Sequence, residues 1–430
     1  MLAQHLLQDF ASKWINLIRF GPMLRKLAAF LFGLVIFYGL NPAARVSPAA
    51  AQSGVTVHSN QASYQFGQLM RFSLEATSET PVESAALLFS TPDMPNTLTA
   101  QIDLTAAEEV AISHQIDLRQ IRFQPFAPVT WVWSLTLESG QEVALEAETV
   151  LYRDDRFIWS GLDDEQAAVY WAEGDATLGQ AALDSHAESL ARIQEIVPAT
   201  LPQIVQIYLY PTSSDLQAAL RLTGYEWAGG HASPDLGVIL IALPSQVTAE
   251  VELRRTLPHE LTHLLLAEAT GPSYEQLPAW FEEGLATYFE IDQNPAFAAL
   301  VQDAVDSGST IHFSELCLDF PHSGEQALLA YAQSRSLVEM IQAEYGNHTL
   351  TQFVIAFRDG SGCEGAVQRV LGISLQELER SWQAQLRTRP AIYRTVQRLG
   401  WWIGLALAGF VAMVLLARNP LPRRKLDSDE

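Results

Sequence analysis

Apolar and polar positions alternate along the first third of the chain. Ser63-Tyr64-Gln65-Phe66, Met70 to Leu74, Ala85 to Phe89, Val129 to Leu135 and Glu142 to Leu145 are alternating or β-branched and aromatic runs divided by turn-forming residues. A period of two predicts strands, and several strands within about 100 residues predict a small β-sandwich of immunoglobulin or fibronectin type. No titratable cluster falls in this stretch, which reads as a spacer or recognition module. Near Ala176 the period lengthens. Leu178 to Ile196 repeat apolar residues at helical spacing, Ile204 to Tyr210 read as a strand, 214–222 as a short helix and Gly237 to Leu243 as another strand. Helices are then predicted over 249–269, 278–290, 294–306, 325–344, 349–358, 363–371 and 374–389. Strands first and helices afterwards describe an α+β fold.

Both ends carry apolar runs. Leu27 to Leu40 follow Arg25 and Lys26 and precede Ala49-Ala50-Ala51, the layout of a secretory signal with a small-residue cleavage site. Met23 offers a tidier start for it, and an uncleaved anchor is the alternative. Leu399 to Ala417 form a run close to the length of a bilayer core, with Trp401 and Trp402 at one end and Arg418, Arg423, Arg424 and Lys425 at the other. The expected organisation is a signal peptide over 1–51, a β-domain over 52–154, a catalytic domain over 155–386, a juxtamembrane segment over 387–398, a transmembrane helix over 399–417 and a cytoplasmic tail over 418–430. That order predicts a single-pass protein of the cell membrane, held by its C-terminal helix, with its ectodomain outside the cytoplasm.

Charge sharpens the picture of the ectodomain. Between 52 and 386 stand 13 basic residues, all arginine, against 45 acidic ones. Nucleic-acid binding requires a basic footprint that this segment lacks, so that class of partner is excluded. The acidity fits an exported, soluble domain. Cys317 and Cys363 both lie in it, and an oxidising compartment favours a disulfide between them over two buried thiols.

The chemistry concentrates in His259-Glu260-Leu261-Thr262-His263. On a helix, residues four apart share a face, so both imidazoles can reach one metal ion while Glu260 faces the water to be activated. A catalytic zinc site needs a third protein ligand and an open position. Twenty residues on, Leu277-Pro278-Ala279-Trp280-Phe281-Glu282-Glu283-Gly284-Leu285-Ala286 opens a second helix with two adjacent carboxylates. Spacing alone does not choose between Glu282 and Glu283.

Together these segments resemble the gluzincins, zinc metallopeptidases of the peptidase MA-like group related to thermolysin and the aminopeptidase-N-like enzymes. The resemblance covers roughly 155–386 and includes Trp227-Ala228-Gly229-Gly230-His231-Ala232, the Leu257-Pro258 lead-in, Ala330-Tyr331-Ala332-Gln333-Ser334 and Leu371-Gly372-Ile373-Ser374-Leu375 with Trp382. It implies a mostly helical metallopeptidase domain holding Zn2+ through His259, His263 and Glu283, the glutamate that precedes glycine. It further implies Glu260 as general base, Tyr331 as oxyanion donor, a peptide or protein as substrate, and a cleft rim at Gly237 to Leu243. His231 reads as a structural or substrate-contacting residue. No G-x-M-E-N segment precedes the zinc helix, so the usual amino-terminus anchor is missing and the implied activity is that of an endopeptidase. The alternative is a non-catalytic binding or envelope-assembly protein on a degenerate fold of this kind.

Overall fold

The computed structural model describes residues 54–220, 229–243, 248–318, 320–321 and 324–387, with 408–410 and 413. Its first six strands are β1 (Val55–Gln65), β2 (Leu69–Ser90), β3 (Leu98–Asp117), β4 (Pro128–Leu137), β5 (Glu142–Ala144) and β6 (Glu148–Leu151), all in one sheet. β2 pairs with β3 from Leu69↔Asp117 to Phe89↔Leu98. Its other edge takes β1 over the first half and β4 over the second. The register breaks between Thr77 and Ser84, around Pro81, which has no N–H to donate. Across that break the inward positions change from Met70, Phe72, Leu74 and Ala76 to Ala85, Leu87 and Phe89, even numbers to odd.

Phe72 and Phe89 nevertheless touch, their ring centroids 5.6 Å apart. Seventeen residues of straight strand would separate them by roughly 55 Å. β2 therefore bends back on itself, and the sheet rolls around its own core. This corrects the immunoglobulin-type sandwich: the facing layers are halves of one hydrogen-bonded sheet, not two sheets. The sequence pattern also missed β3, whose alanine and glutamate content is poor strand material and whose length is imposed by its partner.

A second sheet runs β10-β11-β9-β8-β7, built from β7 (Ser160–Asp163), β8 (Ala167–Trp171), β9 (Val205–Tyr210), β10 (Gly230–Ser233) and β11 (Val238–Ala242). β8, β9 and β11 are parallel, while β7 and β10 join antiparallel at the two edges. Alternation explains its place in the molecule. Ile207, Leu209, Ile239 and Ile241 enter the helical core, while Tyr208, Tyr210, Val238, Leu240 and Ala242 enter the core of the rolled sheet. Phe126 stacks on Tyr208, and Tyr210 donates a hydrogen bond to Asp154, which Arg156 neutralises. The β-domain is thus packed onto the second sheet through a shared apolar core. β11 is covered on both edges, so the expectation of a cleft rim at Gly237 to Leu243 is corrected: the edge strand is β10.

The helices are α1 (Ala176–Gln194), α2 (Ser213–Leu220), α3 (Ala249–Thr270), α4 (Ala279–Phe289), α5 (Phe297–Ser307), α6 (Phe313–Leu316), α7 (Gly324–Tyr345), α8 (Asn347–Arg358), α9 (Cys363–Leu371) and α10 (Leu375–Arg387). All but the one-turn α6 coincide with predicted helices to within a few residues. Cys317 and Cys363 are disulfide-bonded, tying the end of α6 to the start of α9. The Trp280 indole N–H donates to Cys363 Sγ at 3.3 Å, so the staple also braces α4. The signal peptide, the transmembrane helix and its flanks fall essentially outside the described residues. Among those described, no helix is long and apolar enough to cross a membrane.

Candidate metal centre and active site

α3 and α4 bring His259, His263 and Glu283 together. One ligand atom from each lies within 4.8 Å of the other two. Nε2 of His259 is 3.3 Å and Nε2 of His263 is 3.8 Å from Glu283 Oε2, so both rings aim the same nitrogen at one carboxylate oxygen. The opposite nitrogens have carboxylates of their own. His259 Nδ1 is 3.4 Å from Glu290 Oε1, and His263 Nδ1 is 3.1 Å from Glu282 Oε1. Tyr274, on the turn between α3 and α4, donates to that same Glu282 oxygen at 2.7 Å. The adjacent glutamates therefore divide the work: Glu283 faces the converging nitrogens, and Glu282 orients His263 from behind.

The Glu-Gly pairing has a packing cause. A Cβ on Gly284 would stand 2.7 Å from the Ser334 carbonyl oxygen, so only glycine lets α4 and α7 pass at this distance. That approach carries Tyr331, three residues before Ser334, to 6.0 Å between its ring and that of His259. Phe320 packs against its other side at 4.5 Å. Burial and the surrounding glutamates push the Tyr331 hydroxyl well above its usual pKa, keeping it a donor.

Glu260 is 8% exposed and points at the edge strand. A Cβ on Gly230 would lie 2.6 Å from its Oε1, and the Ala232 backbone N–H hydrogen-bonds its carboxylate. Burial raises the Glu260 pKa, against the pull of both histidines. Glu283 is opposite in sign: burial works against its charge, but His259 and His263 overcome that and hold its carboxyl below the ordinary range. His231, on β10, lies outside the three-ligand group, and burial with the nearby His263 pushes its pKa down to about 4. A cleft of about 710 Å³ opens onto Glu282 and Glu283, with His231, Tyr274 and Phe320 on its sides and Asp93, Arg122 and Gln124 of the β-domain forming one wall.

The donor set suits zinc. Two imidazoles and one carboxylate converge, four glutamates crowd the site against two histidines, and the buried Oε2 atoms of Glu283 and Glu290 accept no hydrogen bond among the described residues. A divalent cation would relieve both the excess charge and the unpaired oxygen of Glu283. The structure brings His259, His263 and Glu283 together, with Glu260 and Tyr331 beside them, and adds Glu290 and Tyr274, which the sequence did not single out. Glu290 follows Glu283 by seven residues, two helical turns, and that interval was the available signal; Tyr274 sits on an irregular turn and left none.

The family described as the Peptidase MA superfamily matches residues 185–388. A search of curated proteins finds no match. Among solved structures, the M1 zinc metallopeptidase of Deinococcus radiodurans is 12% identical over 79% of this chain and 96% of that one, with a TM-score of 0.35. A mutant two-domain M1 zinc metallopeptidase bound to L-arginine is 12% identical over 77% and 94%, at 0.36. Wild-type OgpA from Akkermansia muciniphila is 16% identical over 23% of this chain, with a TM-score of 0.20; this chain spans 27% of its length. The two-histidine helix and Glu283 both lie inside the matched span, so it is the part of this chain over residues 185–388 that is similar to the Peptidase MA superfamily.

Proposed function

We propose that this protein is a zinc-dependent endopeptidase whose ligands are His259, His263 and Glu283. The observation that carries the reading is the convergence of two Nε2 atoms on Glu283 Oε2, each imidazole backed at Nδ1 by a further carboxylate. When bound, zinc supplies Lewis acidity, lowering the pKa of water toward neutrality and polarising a carbonyl. The chain's own groups do the rest. Glu260 accepts the proton of the attacking water and delivers it to the leaving amine, and its burial moves its pKa toward the working pH, where a general base is most effective. Tyr331 donates a hydrogen bond to the developing oxyanion and keeps its proton. Among the described residues β10 pairs with β11 alone, and its other edge can take an extended peptide as an added strand.

The absence of an amino-terminus anchor in the sequence supports internal cleavage. The disulfide, the signal-like N-terminus and the C-terminal apolar run support a catalytic domain held outside the cytoplasm on a single membrane helix. The test is hydrolysis of a peptide library, unblocked and end-blocked, before and after chelation and zinc restoration. Cleavage of end-blocked peptides that chelation abolishes and zinc restores is expected. Cleavage of unblocked peptides alone would make the enzyme an exopeptidase, and no cleavage at all would favour a binding protein on this fold.

A further inference from the structure

α3 contains a proline in its interior, one residue before His259. Pro258 has no backbone N–H, so the carbonyl four residues earlier, that of Arg254, loses the donor that an α-helix would give it. That carbonyl is not left orphaned. It accepts from the backbone N–H of Ile291 at 3.0 Å and of Asp292 at 3.4 Å. The same contact is held twice more: Arg254 Nε lies 3.4 Å from the Asp292 carboxylate, and Arg255 Nε donates to the Asp292 carbonyl at 3.1 Å. These two acceptor-seeking residues are the exit of α4. Immediately before them stands Glu290, 6% exposed, its Oε1 3.4 Å from His259 Nδ1.

We propose that Pro258 and Glu290 are two ends of one positioning device for His259. The proline vacates a carbonyl, the exit of α4 docks on it, and the docked segment sets Glu290 against Nδ1. With Nδ1 held as the N–H that donates to Glu290, the ring presents the lone pair of Nε2 toward Glu283. An alanine at 258 would bring back a helical N–H that competes for the Arg254 carbonyl and loosens the dock, although alanine suits a helix interior far better than proline. A helix-breaking residue beside a ligand thus acts through the carbonyl it releases. The proposal rests on the reading of the site as a zinc centre and goes beyond it, since neither residue is a ligand or touches substrate.

The experiment compares the full-length chain with Pro258→Ala, Glu290→Gln and the double variant. It measures zinc dissociation constants by chelator competition, the visible absorption of the cobalt(II)-substituted proteins, and the melting temperature of the metal-free forms. Each single substitution is expected to weaken zinc binding by about 10–100-fold, the size typical of an outer-shell partner, and to alter the cobalt spectrum. Metal-free Pro258→Ala should melt no lower than the parent. The double variant should bind no more weakly than the poorer single one, because the two changes disable the same device. The device is refuted if the parent binds zinc and Pro258→Ala binds it equally well, or if the two losses multiply in the double variant. If Pro258→Ala does not fold, Glu290→Gln decides alone, and parental zinc affinity in it refutes the device. A parent that binds no zinc would overturn the zinc reading itself, and this proposal with it.

Discussion

At the scale of single residues, the site shows what spacing can and cannot specify. His259, Glu260 and His263 were legible because i and i+4 share a helical face whatever the surroundings. The choice between Glu282 and Glu283 was not, because adjacent residues on a helix point about 100° apart and only the partner surface decides which one faces inward. The structure turns Glu283 to both Nε2 atoms and Glu282 to His263 Nδ1 and Tyr274. Glu283→Gln should therefore lose zinc binding almost entirely, whereas Glu282→Gln should weaken it only about 10–100-fold, as outer-shell changes do. A chelator titration of both variants checks the order, and the reverse ranking would move the ligand to Glu282. Tyr331→Phe removes one hydroxyl and should lower turnover by roughly 10²–10³ while leaving peptide KM nearly unchanged. Steady-state kinetics on the best-cleaved peptide would show whether the loss lies in kcat.

At the scale of elements, close approaches explain features that a sequence presents only as letters. Gly284 stands where α4 crosses α7, and Gly230 where β10 crosses α3 beside Glu260. Gly284→Ala drives a methyl group into the Ser334 backbone, which has no flexible end to yield. Overpacking of this kind typically costs about 1–3 kcal/mol, so a lowered melting temperature is expected, with zinc affinity falling as Glu283 shifts; a variant as stable as the parent would mean that the helices separate freely. Helix positions were readable because long amphipathic periods survive local irregularity. The strand map was less so. A 22-residue β2 that bends back on itself reads locally as two strands, and β3 takes its conformation from pairing along β2 rather than from its own residues. The rim was misassigned for a related reason: the continuous apolar run of β11 marks a strand buried on both faces, but nothing in it says which neighbour lies outside.

For the whole molecule, the β-domain and the helical domain share the second sheet, one on each face. That arrangement gives the β-domain a wall of the cleft through Asp93, Arg122 and Gln124, more than the spacer its lack of titratable clusters suggested. The helical side buries His186 on α1 at 1% exposure, with neither ring nitrogen hydrogen-bonded among the described residues. Burial lowers its pKa below the ordinary histidine value, only partly opposed by Asp164. The neutral ring is the folded form, so the unfolded chain binds the extra proton. Its contribution to stability is full above about pH 6.5 and is lost as pH falls through the lowered folded value. Denaturant midpoints measured from pH 8 to pH 5 should fall less steeply in His186→Leu than in the parent; identical slopes would show that His186 binds its proton equally in the folded and unfolded states.

The central claim is that a metal centre built from α3 and α4 hydrolyses peptide bonds with Glu260 as its base. Replacing Glu260 by glutamine keeps its shape and nearly its volume but removes the ability to take a proton. The decisive measurement is the turnover of zinc-loaded Glu260→Gln on a cleaved peptide, with zinc content and peptide affinity determined on the same preparation. A loss of about 10²–10⁴-fold in kcat, with stoichiometric zinc and near-parental binding, is the predicted result. Parental turnover in the glutamine variant would contradict the account.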